Sequence, residues 1–93
     1  MKKRFMCSLI CHNGILGGSL YYENNSFTYK TNKLTVNKVY KNIVLKLDEI
    51  VELTWKWVIF PTATFHMKNG DKYKFIIFNK RCINEIFQEY YNR

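Results

Sequence analysis

The chain has 93 residues, 47% of them hydrophobic and 17% aromatic; this suits one compact domain over 1–93 and excludes a disordered chain. Its charge is lopsided, with 15 Lys+Arg against 7 Asp+Glu and a net +8, a field that attracts phospholipid surfaces, nucleic acid or acidic protein and serves equally well for solubility alone. No run approaches the ~18 apolar residues of a membrane-spanning helix.

The opening "KRFMCSLIC" poses the first choice, between a secretion signal and a strand. Phe5 to Cys11 barely reaches the apolar length of a signal peptide, contains Ser8, and is followed by no small-residue cleavage pattern. Its odd positions Phe5, Cys7, Leu9 and Cys11 alternate as a strand does. The even positions Leu16, Gly18, Leu20 and Tyr22 follow, with Asn13-Gly14 between the two runs as a hairpin turn. That turn pairs Cys11 with Leu16, Cys7 with Leu20 and Phe5 with Tyr22, and cross-strand partners share one face. The expected compartment is the cytoplasm, where thiols stay reduced.

Asn24-Asn25 predicts a second tight turn, because asparagine tolerates the left-handed region. It pairs Tyr22 with Phe27 and Leu20 with Tyr29, giving strands over about 4–11, 15–23 and 26–32. A basic connection, "KTNKLTVNKVYKN", leads to a fourth strand over about 42–47 with Ile43, Leu45 and Leu47 on one face. Asp48-Glu49 is a brief turn. The fifth strand, about 50–57, sets Val51, Leu53, Trp55 and Trp57 against Glu52, Thr54 and Lys56. The sixth, about 62–68, points Ala63, Phe65 and Met67 inward. The seventh, about 71–78, needs Tyr73, Phe75 and Ile77 inward. Odd positions must therefore meet odd ones, which requires a three-residue loop, Lys68-Asn69-Gly70, with Gly70 left-handed. Ile83, Ile86, Phe87 and Tyr90 then form one helical stripe over about 80–91, with Asn79 at its N-cap. The fold class is mainly β: seven antiparallel strands rolled into a partly open barrel, with one amphipathic helix plugging an end.

The stretches "GGSLYYENNSFTYKT", "NIVLKLDEIVEL" and "KNGDKYKFIIF", with the closing helix, resemble the GRAM family within the pleckstrin-homology superfold. Gly18, Leu20, Tyr21, Tyr29, Ile50, Gly70, Tyr73 and Phe75 stand at the positions that carry the resemblance. They are mostly core positions, so the resemblance speaks to fold more than to activity. It implies a binding module for phosphoinositides, anionic membranes or proteins. Pleckstrin-homology domains that grip inositol phosphates carry Lys and Arg around the loop between the first two strands. Here that loop is His12-Asn13-Gly14 and carries neither.

Little points to catalysis. Cys7, Cys11 and Cys82 match no zinc spacing, and buried thiols behave as small hydrophobes. Cys11 and His12 point to opposite faces of a strand, and the acids are scattered. No enzyme activity, metal or cofactor is expected. The candidate site is an anionic-surface patch of Lys30, Lys33, Lys38, Lys41 and Lys56. Trp57 and Phe60, where the inward alternation breaks before Pro61, are candidate membrane-contacting side chains. The competing reading buries both aromatics in the core or at the barrel rim. The expected function is reversible docking on an anionic phospholipid surface, peripheral to the membrane. The alternative is a protein-interaction or self-associating module, in which an open strand edge adds a peptide or a second copy. No nucleic-acid-binding motif is present, so nucleic acid is not an expected partner.

Overall fold

The computed structural model describes residues 2–11, 14–31, 42–57 and 59–92. Seven strands, β1 (Lys3–Cys11), β2 (Gly14–Glu23), β3 (Ser26–Lys30), β4 (Asn42–Lys46), β5 (Ile50–Trp57), β6 (Pro61–Met67) and β7 (Lys72–Ile77), precede one helix, α1 (Lys80–Tyr91). They form one antiparallel sheet in the order β4-β3-β2-β1-β7-β6-β5. The sheet curls into a half-barrel around a single core that runs from Phe5 to Phe87.

The turns fix much of this. Asn24 and Asn25 both adopt positive φ, 53° and 59°, as a tight hairpin between right-twisted strands demands. Tyr22 pairs with Phe27 and Leu20 with Tyr29, as expected. The β6–β7 loop is the expected three-residue link: Gly70 has φ 94°, its N–H donates to the Met67 carbonyl at 3.0 Å, and Phe65 faces Tyr73.

The β1–β2 register differs from expectation by two residues. Cys11 pairs with Gly14, Leu9 with Leu16, Phe5 with Leu20 and Lys3 with Tyr22. The expected partners Cys11–Leu16, Cys7–Leu20 and Phe5–Tyr22 are therefore corrected. Because side chains alternate with period two, a slip of two residues keeps every apolar side chain on its face; Phe5, Cys7, Leu9, Leu16, Leu20 and Tyr22 are all buried. Residues 12 and 13 of the expected turn lie outside the described residues.

Strand β5 carries a second correction. The pairing jumps from Ile50–Met67 to Glu52–His66, a bulge that leaves Val51 as an extra residue. Ile50 is buried, and Val51, expected on the inward face, is exposed. Leu47, expected to end β4, lies in a short 3-10 turn (Leu47–Glu49) and is fully buried there. Helix α1 closes one end of the half-barrel. Its Phe87 stacks on Phe27 with ring centroids 5.8 Å apart, and the Trp55 indole N–H donates to Asn84 Oδ1 at 2.9 Å. Asn79 is the N-cap residue, but its side chain makes no capping bond.

Candidate functional site

The inward face of the sheet is filled by core, so any contact surface lies outside. Pairing tells which side chains share that outer face. On β5, β6 and β7, Lys56 pairs with Thr62, and Thr62 with Ile76 and Thr64 with Lys74. On β1, Ser8 lies beside Ile76 and Ile10 beside Lys74.

Large apolar side chains also stand exposed. Trp57 is 74% exposed, Ile59 76%, Phe78 69% and Phe60 44%. Trp57 and Phe60 are thus neither core nor shielded rim residues; Trp57 keeps the parity of Leu53 and Trp55 and pairs with Pro61, but at the strand end it stands exposed and off the core. Pro61, buried at the first residue of β6, tolerates its missing N–H at a strand start. Phe60 meets Phe78 edge-on, with centroids 5.8 Å apart, so the β5–β6 connection and the end of β7 form one apolar ridge.

Two grooves flank this ridge and share Ile76. The one beneath the β5–β6 connection, about 380 Å³, is lined by Ile10, Ile59 and Phe60 with Lys56, Lys74 and Thr64. The other, over β1 and β2, holds Arg4, Met6, Gly17, Tyr21, Lys30 and Phe78. In it the Arg4 guanidinium and the Lys30 ammonium each lie 5.8 Å from the centre of the Tyr21 ring, within cation–π range. Arg4 Nε also donates to Ser19 Oγ at 3.3 Å. Among the described residues, no acid lines either groove. Among the described residues the ion pairs are Lys2–Glu23 and Arg81–Glu85, so the lysines of this face keep their charge unneutralised.

The structure therefore brings Lys56 and Phe60 to one groove, leaves Trp57 exposed beside it at the end of β5, and sets Lys30 on the outer surface at the far groove. Lys33, Lys38 and Lys41 lie outside the described residues. Sequence reasoning missed Arg4, Ile59, Lys74, Ile76 and Phe78. For Ile76 and Phe78 a signal was available: Ile76, like Met6 and Ile10, is apolar at an outward strand position, and Phe78 continues that alternation just past β7, where polar side chains are the rule for a solvated face.

Reactive groups lie elsewhere. Burial pushes the Cys7 thiol up to about 12, and a thiol held protonated is a poor nucleophile. Tyr73 is raised as well, by burial first and then by the nearby Asp71 charge. His66 Nε2 lies 3.1 Å from Thr54 Oγ1 on the outer face. Among the described residues no three His, Cys, Asp or Glu side chains group as metal ligands, and no helix is long and apolar enough to cross a membrane. The chain matches no protein-family model and no curated protein.

Proposed function

We propose that this chain is a non-enzymatic binding module of the GRAM and pleckstrin-homology kind, docking reversibly on anionic phospholipid membranes from the cytoplasmic side. The observation that carries the reading is one surface on which Ile59, Phe60 and Phe78 stand exposed beside Lys56 and Lys74, with no acid among the described residues lining the groove. An apolar ridge flanked by cations suits the headgroup boundary, where aromatic and aliphatic side chains enter the acyl region and lysines meet phosphates.

Magnitudes show why both parts are needed. Arg4, Lys30, Lys56 and Lys74 at roughly 1 kcal/mol each give only about millimolar attachment. Burying exposed aromatic or aliphatic side chains adds up to about 1.5–3 kcal/mol apiece at full burial.

The test is co-sedimentation with phosphatidylcholine vesicles, with and without phosphatidylserine, at low and high salt. The protein should pellet with the anionic vesicles at low salt and be largely released at high salt. Equal pelleting with both vesicle types, or none with either, would end the membrane reading. A salt-independent dimer in solution would favour self-association instead.

A further inference from the structure

We infer that the groove beneath the β5–β6 connection seats the phosphate of one anionic phospholipid, held between Lys56 and Lys74 over Thr64; this rests on the membrane reading above. Lys56 enters from β5, Thr64 from β6 and Lys74 from β7, and pairing sets all three on the outer face. Strands β5 and β7 lie two strand spacings apart, roughly 10 Å, and the paired positions 62 and 64 are roughly 7 Å apart along β6. Lys74 thus lies directly beside Thr64, and Lys56 approaches from the other side of β6 one pair further along, beside Thr62; each ammonium brings only donors. The Thr62 hydroxyl already donates to the Phe60 carbonyl at 3.2 Å. It pins the β5–β6 connection and leaves Thr64 as the hydroxyl available to a phosphate oxygen.

The rest of the groove matches the remainder of such a lipid. Ile10, Ile59, Phe60 and Ile76 line it, so glycerol and the first methylenes meet apolar atoms while the phosphate meets charge. Ile76 points outward, yet only 9% of its surface is exposed, because the neighbouring side chains wall it into the groove floor. An acidic protein segment would meet the same lysines, but it lacks the acyl chains that the exposed Ile59 and Phe78 are placed to enter beside.

The inference separates from net charge by position. Lys68, exposed at the β6–β7 loop, lies at the opposite end of β6 and serves as the control. Affinity for phosphatidylserine-containing vesicles would be measured for the wild type and for Lys56→Glu, Lys74→Glu, Thr64→Val and Lys68→Glu, each checked by circular dichroism. Lys56→Glu and Lys74→Glu should each weaken binding about thirtyfold, since a reversal counts twice against a factor of about five per lysine at the surface. Thr64→Val, which keeps the shape and removes the hydroxyl, should cost about fivefold. Lys68→Glu should cost threefold or less, about the screened long-range term. If the wild type binds and Lys74→Glu matches Lys68→Glu, the seat is overturned and membrane docking stands. If the wild type fails to bind anionic vesicles, the membrane reading itself falls.

Discussion

Phe65→Ala should lower the melting temperature by about 15–30 °C, or leave the chain unfolded at room temperature. Phe65 is fully buried at the centre of the aromatic core. Its ring lies 5.7 Å from Phe27, 5.6 Å from Phe75 and 6.0 Å from Phe87, centroid to centroid. These neighbours belong to β3, β7 and α1, so one side chain ties both halves of the curled sheet to the helix. Truncating a buried Phe to Ala costs about 3–5 kcal/mol through lost transfer energy and the cavity left behind. A chain of this size has only about 5–14 kcal/mol of total stability, and each kcal/mol is worth about 4–8 °C. Phe78→Ala removes an equal ring from an exposed position and should leave the melting temperature within a few degrees of the wild type. A Phe65→Ala protein melting as Phe78→Ala does would contradict the packing described.

Gly18→Ala should be the second most damaging change, at about 3 kcal/mol, although it adds one methyl. A Cβ at Gly18 would lie 2.4 Å from the Lys30 carbonyl oxygen and 2.9 Å from both Cε1 and the hydroxyl of Tyr29. The carbonyl cannot retreat, because β3 is paired on both sides, to β2 and to β4. Tyr29 cannot swing away without breaking the bond its hydroxyl donates to the Leu16 carbonyl at 2.7 Å in the buried core. Overpacking costs about 1–3 kcal/mol, and an unsatisfied buried polar group about 1–3 kcal/mol. Glycine is thus required at 18 to admit the Tyr29 ring, and not for its backbone freedom. Gly17 is the control: a Cβ there meets nothing within 4 Å, so Gly17→Ala should change stability by less than about 0.5 kcal/mol. Equal denaturant midpoints for the two variants would show that the Gly18–Tyr29 contact is wrong.

The sequence made most of the fold legible because apolar parity and turn chemistry constrain each other. Where a turn has a chemical signature, as at Asn24-Asn25 and Gly70, the register followed. At the first hairpin, parity admits any shift by two, and Asn13-Gly14 alone did not choose between them; the pairing runs through Gly14 itself. The bulge at Val51 was hidden because one extra residue swaps faces without altering composition. The helix was readable from Ile83, Ile86 and Phe87, the three residues it buries.

The candidate site was legible at one point and hidden at the rest. Lys56, Trp57 and Phe60 were found because the inward alternation fails just before Pro61. Lys74 and Phe78 were not, because the inward pattern of Phe75 and Ile77 carries no information about the outward residues on either side of them. Only the sheet order, with β7 between β1 and β6, shows that Ile10, Ile76 and Lys56 come together from separate hairpins.

Trp57 provides the most direct test, because it stands exposed at the end of β5, next in the chain to Lys56 and to the connection that carries the ridge, and the chain has only two tryptophans. In a Trp55→Phe variant the emission reports Trp57 alone. Titration with phosphatidylserine-containing vesicles should shift that emission to the blue, with reversal at high salt and no shift on pure phosphatidylcholine. Emission unchanged at saturating anionic lipid would place the ridge in water and contradict the docking face.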